Sequence, residues 1–130
     1  MGKFNLIYKV PDEFRYASNG DGTAEELPDS EKRYFAKKTG SILRDFMHAN
    51  NCEQIKYGVY GTNSEEVVKQ FIETSKRMKA TLEQVLFEQE KQALKNKDAS
   101  KLKEVKEHKE FLADNWDDIK PECLVQTVVV

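Results

Sequence analysis

Cationic and aromatic side chains near the first predicted helix are the residues of this chain best suited to chemistry. Arg33, Lys37 and Arg44 fall within about one face of that helix. An arginine there could bind a phosphate through two parallel hydrogen bonds while a tyrosine stacks on a base. The pattern suggests an anion pocket beside a mobile loop, with these candidate residues: Tyr16, Asn19, Asp21, Arg33, Tyr34, Lys37 and Arg44. The alternative is a solvated basic face next to the acidic stretch that precedes it.

Motifs of the common enzyme classes are missing from the sequence. There is no Walker A loop and no GxGxxG, GxSxG or HExxH pattern. His48 and His108 fall on different predicted helices, and each is expected to be structural, with His108 solvated among charged neighbours. The loop from Asn19 to Glu26 fails the EF-hand spacing in each register. We therefore predict no catalytic residue, no metal site and no cofactor.

The composition is that of one soluble globular domain: 130 residues, 38% of them hydrophobic and 34% charged. The formal net charge of -2 provides no positive field that would gather DNA. The apolar stretches are far shorter than the roughly 20 residues of a membrane span. Cys52 and Cys123 are too few for a disulfide framework, so we expect reduced thiols and a cytoplasmic protein without membrane contact.

The first half of the chain alternates between strand and helix patterns. Apolar and polar residues alternate from Lys3 to Val10, which predicts a first strand, and Glu13 to Ala17 could form a short partner strand. Glycines, Asn19 and neighbouring polar residues mark a loop at 18–22. A short first helix should follow the capping residues 28–30 and end near Asn50. Gln54 to Tyr60 alternates again and predicts a second strand.

A long amphipathic helix from Ser64 to about Lys95 is the strongest pattern in the chain. Two capping boxes could start it, Thr62 with Glu65 and Asn63 with Glu66. At 1.5 Å per residue it would be about 48 Å long, whereas the whole domain should measure roughly 26 Å across. One copy should therefore be unable to cover its apolar stripe. The residues predicted to contact a second copy are Phe71, Met78, Leu82, Val85 and Leu86.

Asp98 can cap a second amphipathic run that continues to Trp116. The two runs predict a helical hairpin over 64–116, with one bent helix as the alternative. Residues 123–130 then predict a terminal strand that is apolar on both faces, and such a strand should be central in its sheet or paired across an interface.

The fold class predicted from these elements is α+β, in a single domain over 1–130. An antiparallel or mixed sheet of about 3–4 strands, formed largely within 1–61, would pack with one short helix and the long C-terminal helical hairpin.

Two functions are compatible with these patterns. The first is a small, non-enzymatic, cytosolic protein of the interaction or inhibitor type that homo-oligomerises through its long helix and binds a host or partner protein. Virus-encoded accessory proteins are one class with this profile. The alternative is sequestration of a phosphorylated small molecule or nucleotide at a subunit boundary. An enzyme that uses carboxylates and a tyrosine is a weaker third hypothesis.

Overall fold

The computed structural model describes residues 2–10, 16–18, 24–26 and 30–128. In these ranges an antiparallel four-stranded sheet packs with helices, and a two-stranded hairpin stands apart, so the predicted α+β class is confirmed. The elements in chain order are β1 (Phe4–Lys9), β2 (Tyr16–Ser18), β3 (Ala24–Glu26), α1 (Ser30–Ala49), β4 (Glu53–Lys56), β5 (Val59–Thr62), α2 (Glu65–Lys76), α3 (Met78–Lys95), α4 (Ala99–Ile119) and β6 (Glu122–Thr127).

The sheet has the order β4-β5-β1-β6, with β1 between strands from distant parts of the chain. Leu6 of β1 lies opposite Tyr60 of β5 on one side and Val125 of β6 on the other. Directly opposed residues point to the same face of a sheet, so these three side chains share the face that the helices cover. Leu6 and Tyr60 are buried there.

The single strand predicted over 54–60 is wrong, because the structure divides it into β4 and β5 with a turn between them. Gly58 makes this turn with a φ of 75°, a conformation that glycine adopts without strain. A Cβ atom at Gly58 would lie 2.6 Å from the Tyr8 carbonyl oxygen, so the close approach also requires glycine. Ile55 and Tyr57 are exposed, whereas Val59 is buried, so the alternation over 54–60 does not correspond to one buried face.

Two further strand predictions need correction. The short strand expected over Glu13 to Ala17 is β2, at Tyr16–Ser18, and it pairs with β3 in its own hairpin. Residues 11–15 and the loop at 19–23 lie outside the described ranges. The terminal strand spans Glu122–Thr127 at an edge of the described sheet, so the predicted central position is wrong, and the predicted alternative, pairing across an interface, stays a prediction. Among the described strands, the terminal strand pairs with β1 alone.

The first helix, α1, spans Ser30–Ala49, which confirms the predicted start after residues 28–30 and the predicted end near Asn50. It ends in a Schellman motif, in which Asn51 has a φ of 55° and the Cys52 N–H donates to the Met47 carbonyl at 3.0 Å. Asparagine tolerates this left-handed conformation better than most residues. The motif directs the chain back from α1 into β4.

The predicted helix from Ser64 to Lys95 is interrupted at Arg77, whose φ and ψ of -92° and 4° separate α2 from α3. Neither predicted capping box is present at its start. Ser64 is the cap instead, and its Oγ accepts a hydrogen bond from the Val67 N–H at 3.2 Å. The Asn63 side chain accepts from the Lys3 N–H at 3.0 Å and thereby attaches the helix start to the beginning of β1.

The helical hairpin is confirmed for α3 and α4, and the bent-helix alternative is excluded. Lys97 adopts a left-handed φ of 54° between the two helices. The Asp98 N–H donates to the Ala93 carbonyl at 2.9 Å, which completes a second Schellman motif. As predicted, Asp98 also caps the next helix, since its side chain accepts from the Lys101 N–H at 3.0 Å.

The apolar stripe of α2 and α3 lies in the core of the single chain. Phe71, Met78, Leu82 and Leu86 are at most 1% exposed, and Val85 is half-buried. Helices α1 and α4 pack against α3 and bury these side chains together with residues such as Val105 and Leu112. The expectation that one copy could not cover the stripe is therefore wrong. These four buried residues are not available to a second copy of the folded chain.

We expect Lys97→Gly to stabilise the protein. A left-handed conformation costs a residue with a Cβ atom about 1–2 kcal/mol, and glycine avoids this strain. Glycine also loses more backbone entropy on folding, which offsets roughly 0.5–1 kcal/mol of the gain. The net gain should be about 0.5–1 kcal/mol in urea unfolding. Lys95→Gly, at the last residue of α3, is the matched control and should destabilise by up to about 1 kcal/mol. Equal losses from both variants would contradict the assigned conformation of Lys97.

Candidate functional site

Tyr34, one of the residues predicted to stack on a ligand, is instead packed at the junction of α1, α3 and α4. Its ring stacks on His108 with centroids 4.1 Å apart, and its edge meets Phe35. The Gln89 side-chain N–H donates to the Tyr34 hydroxyl at 3.1 Å. Because these contacts occupy the ring and its hydroxyl, the structure assigns Tyr34 a packing role.

The three predicted cationic residues share a face of α1 but do not converge on one point. Arg33 and Arg44 are separated by eleven residues, or about 16 Å along the helix axis, so one phosphate could not contact both at short range. Arg44 lies near the Tyr8 hydroxyl, and Lys37 is exposed. Tyr16 belongs to β2, whereas Asn19 and Asp21 lie outside the described residues. The anion pocket therefore stays a prediction that this geometry does not favour.

A cluster of aromatic and basic residues fills the covered face of the sheet beside α1. The rings of Tyr8 and Tyr60 stack with centroids 6.2 Å apart, and the His48 ring meets Tyr60 edge-on at 6.4 Å. Burial, reinforced by the neighbouring Tyr60, raises the pKa of Tyr8 to about 12, and Arg44 opposes this shift. The Tyr8 hydroxyl makes no hydrogen bond of normal geometry within the described part of the chain. It therefore remains a buried, unpaired polar group.

We expect Tyr8→Phe to preserve or raise the free energy of unfolding, by up to about 1 kcal/mol, because it removes a buried hydroxyl without a hydrogen bond. Tyr34→Phe is the matched variant and should lower it by roughly 0.5–1.5 kcal/mol, because it removes the hydroxyl bonded to Gln89. Urea denaturation measures both. If Tyr8→Phe lowered the free energy of unfolding more than Tyr34→Phe does, the Tyr8 hydroxyl would have a hydrogen-bond partner in the folded protein.

His108 is only 7% exposed, so the prediction of a solvated histidine is wrong. It packs between the rings of Tyr34 and Phe35, and its Nδ1 has no hydrogen-bond partner among residues 30–128 or the other described ranges. Burial lowers the pKa of His108, with Glu104 and Glu31 opposing. Position 108 follows Val105 by three residues and precedes Leu112 by four. This helical spacing was the signal that could have revealed its burial.

Acidification should destabilise the protein through His108. Because the folded-state pKa of His108 lies below the usual 6.5, the unfolded chain binds a proton more readily. The contribution of neutral His108 to the free energy of unfolding is thus fully present above pH 6.5, and it is lost as the pH falls from 6.5 toward the pKa of His108 in the folded protein. Urea unfolding at several pH values should show that acidification lowers the free energy of unfolding less for His108→Phe than for the parent protein. His48→Gln, which removes an exposed histidine, is the control, and an unchanged pH slope in His108→Phe would contradict this account.

One groove lies between α3 and α4, with a cavity volume of about 570 Å³. Ala80, Leu86, Leu112 and Ala113 contribute its apolar surface, and Phe87 at its margin is 48% exposed. Charged residues line the remaining sides, and an ion pair between Lys109 and Glu90 joins the two helices. Nothing in the described structure shows what covers this groove.

A second groove runs between α2 and the free side of β6, and we call it the β6 edge groove. Its cavity volume is about 320 Å³, and its residues are Phe71, Ile72, Ser75, Lys76, Cys123, Leu124 and Val125. Ile72 and Leu124 are 38% and 54% exposed. Burial raises the pKa of Cys123 while a hydrogen bond with Ser75 opposes the shift, so the Cys123 thiol is protonated at neutral pH. The groove thus combines apolar surface with an unpaired strand edge.

The backbone groups that β6 presents at its free side follow from the register with β1. The Val128 N–H donates to the Lys3 carbonyl at 2.8 Å, so the even-numbered residues of β6 bond to β1. Hydrogen-bonding residues alternate along an antiparallel strand. The N–H and C=O groups of Cys123, Val125 and Thr127 therefore point to the free side. The sequence predicts an apolar terminal strand that is central or paired across an interface, whereas its edge position and its proximity to Ile72 follow from contacts between distant parts of the chain.

No protein-family model, curated protein or solved structure matches the chain. None of the helices in the described ranges has an apolar stretch long enough to cross a bilayer. Among the same residues, no group of three or more His, Cys, Asp and Glu side chains is placed to hold a metal ion.

Proposed function

We propose that this protein acts by binding rather than by catalysis, as a small interaction protein that self-associates through the free edge of β6. The observation that carries the proposal is the position of β6, with Cys123, Leu124 and Val125 at its centre, at an edge of the described sheet, where three residues direct their backbone groups outward. This replaces the predicted contact through the long helix, whose apolar stripe is buried in the chain's own core. The proposed occupant of the β6 edge is a strand of a second copy.

The opposite edge of the same sheet provides an internal comparison. Edge strands avoid pairing with other chains through charged residues, short length and bulges. Strand β4 has all three features, since it has four residues, carries Glu53 and Lys56, and changes register between Gln54 and Lys56. Strand β6 has six residues in regular register with β1, and Glu122 is its sole charged residue. Within the described part of the chain, β6 is therefore the edge that lacks these protective features.

Exposed apolar surface next to the strand supports the same assignment. Ile72 lies on α2 beside the helix-covered face of β6, whereas the Leu124 side chain projects from the opposite face, and both residues border the β6 edge groove. Covering their exposed surface would contribute roughly 25 cal/mol for each square ångström of apolar area removed from water. Backbone hydrogen bonds along the edge would supply the direction and register of the contact.

The compartment that we propose is the cytosol, because Cys52 and Cys123 are free thiols, as is usual in reducing compartments. A further partner would be a protein rather than DNA, since the net charge of -2 provides no attraction for phosphates. The assembled protein would expose the groove between α3 and α4 in each copy. A virus-encoded inhibitor of a host protein is one case of this proposed class.

The test compares two leucine substitutions of similar exposure. Light scattering at micromolar concentration should give twice the chain mass for the parent protein. Leu124→Lys should shift it to the monomer mass, because a lysine on an edge strand opposes pairing. Leu94→Lys is the matched control, since Leu94 is 58% exposed at the far end of α3, and it should leave the dimer intact.

Circular dichroism should show unchanged helix content in both variants. A monomeric parent protein would overturn the proposal of self-association. A dimer that is unaffected by Leu124→Lys but dissociated by Leu94→Lys would move the interface to the helical hairpin.

A further inference from the structure

We infer that two copies pair β6 with β6 in antiparallel register, with Val125 on the two-fold axis, to form a continuous eight-stranded sheet. The inference rests on the proposed self-association and specifies its geometry. It follows from the symmetry of a dimer, the direction of the backbone groups of β6 and the position of Pro121.

Symmetry restricts the register first. A two-fold axis perpendicular to the sheet keeps the helices of both copies on the same face. Directly opposed residues of paired strands point to the same face, so odd-numbered residues must lie opposite odd-numbered ones. In β6 the odd residues face the helices, because Cys123 lies opposite the buried Tyr8 and Val125 lies opposite Leu6. The axis must then pass midway between the two copies of one residue, so that this residue lies opposite itself. We describe that residue as lying on the axis.

The outward-facing backbone groups then select that residue. With Val125 on the axis, Val125 lies opposite Val125 of the second copy. Cys123 of each copy then lies opposite Thr127 of the other. Each such pair exchanges two hydrogen bonds, so all three outward-facing residues are satisfied within the strand. With Leu124 on the axis, Thr127 would face Pro121, which has no N–H to donate. With Gln126 on the axis, Cys123 would face residue 129 of the second copy, so the three outward-facing residues of β6 would not all pair with one another.

Side chains and charges are compatible with the same register. The inward side chains of Val125 and Thr127 from the second copy would enter the β6 edge groove beneath Ile72. On the other face Leu124 would lie beside Gln126 of the second copy. The two Glu122 carboxylates would lie six residues apart along the paired strands, or roughly 20 Å at the usual strand rise, which exceeds the screening length at physiological salt.

Disulfide trapping tests the register directly. Leu124 and Gln126 of the second copy would form a pair without backbone hydrogen bonds, with Cα atoms about 4.5 Å apart, within the range that a disulfide spans. The full chain would carry Cys52→Ser and Cys123→Ser, with either Leu124→Cys or Gln126→Cys added. The two proteins are mixed under reducing conditions and then oxidised. Mass spectrometry should find mainly the mixed disulfide and little of either homodimeric species.

Other cross-linking patterns would overturn the inference. A homodimeric disulfide of Leu124→Cys alone places the axis at 124, and one of Gln126→Cys alone places it at 126. A dimer by light scattering that forms none of these disulfides overturns the inferred register while leaving the proposed self-association in place. A monomer by light scattering overturns the proposed function itself, so the two failures are distinguishable.

A backbone variant provides a second test that does not depend on cysteine chemistry. Thr127→Pro removes an outward-facing N–H without removing one that bonds to β1, and each dimer would lose two hydrogen bonds. The Kd for self-association should rise at least about tenfold. Thr127→Ala, which keeps the N–H, is the matched control and should change the Kd less than threefold. Equal Kd values for the two variants, with unchanged circular dichroism, would overturn the pairing.

Discussion

The antiparallel pairing of β1 with β6 is the interaction on which the rest of the structure depends. It joins Phe4–Lys9 to Glu122–Thr127 over six opposed residues, and nearly the whole described chain lies between these two strands. Closing so long a loop costs entropy that no local contact recovers. Burial of Leu6 and Tyr8 beneath the helices, together with the regular ladder, offsets that cost. The same pairing also determines which backbone groups of β6 remain on the free side.

The helices show how the chain buries a stripe that looked too long for one domain. The break at Arg77 divides it between α2 and α3, which are about 18 and 27 Å long at 1.5 Å per residue. Helix α3 then fits within the dimensions of the domain and is covered by α1 and α4. The Schellman motif at Lys97 makes this possible, because it returns α4 antiparallel to α3. A stripe that suggested an intermolecular contact thus forms the intramolecular core.

Surface that could bind another protein therefore lies elsewhere, and the two edges of the sheet differ in this respect. Strand β4 is short, charged and bulged, features that prevent further pairing. Strand β6 is regular and carries a single charged residue, Glu122, and exposed residues of α2 lie beside it. A free edge beside a helix allows backbone hydrogen bonds and apolar contacts to form together, which is a recurrent mode of recognition. Water can satisfy the edge of a monomer, so the folded chain does not require the pairing in order to be stable.

The amino-acid sequence alone determined the properties that depend on residues close together in the chain. Period-two alternation identified β1, helical spacing identified α1 to α4, and the side chain of Asp98 marked the start of α4, because these signals depend on neighbours within a few positions. The α+β class follows from them. The boundaries were less certain: Ser64 rather than Thr62 or Asn63 caps α2, and Gly58 turned one predicted strand into two.

Only the tertiary structure decided which apolar faces meet each other. His108 is buried because Tyr34 and Phe35 of α1 reach it across the junction of α1 and α4, a contact between residues more than 70 positions apart. Tyr34 and Arg44, grouped by the sequence into one pocket, face different neighbours. The sequence pattern of the terminal strand predicts a central position or pairing across an interface. In the described sheet β6 lies at an edge, because β1 is the one strand that pairs with it. Periodicity reports how apolar a face is, whereas the identity of its partner depends on long-range pairing that no local pattern encodes.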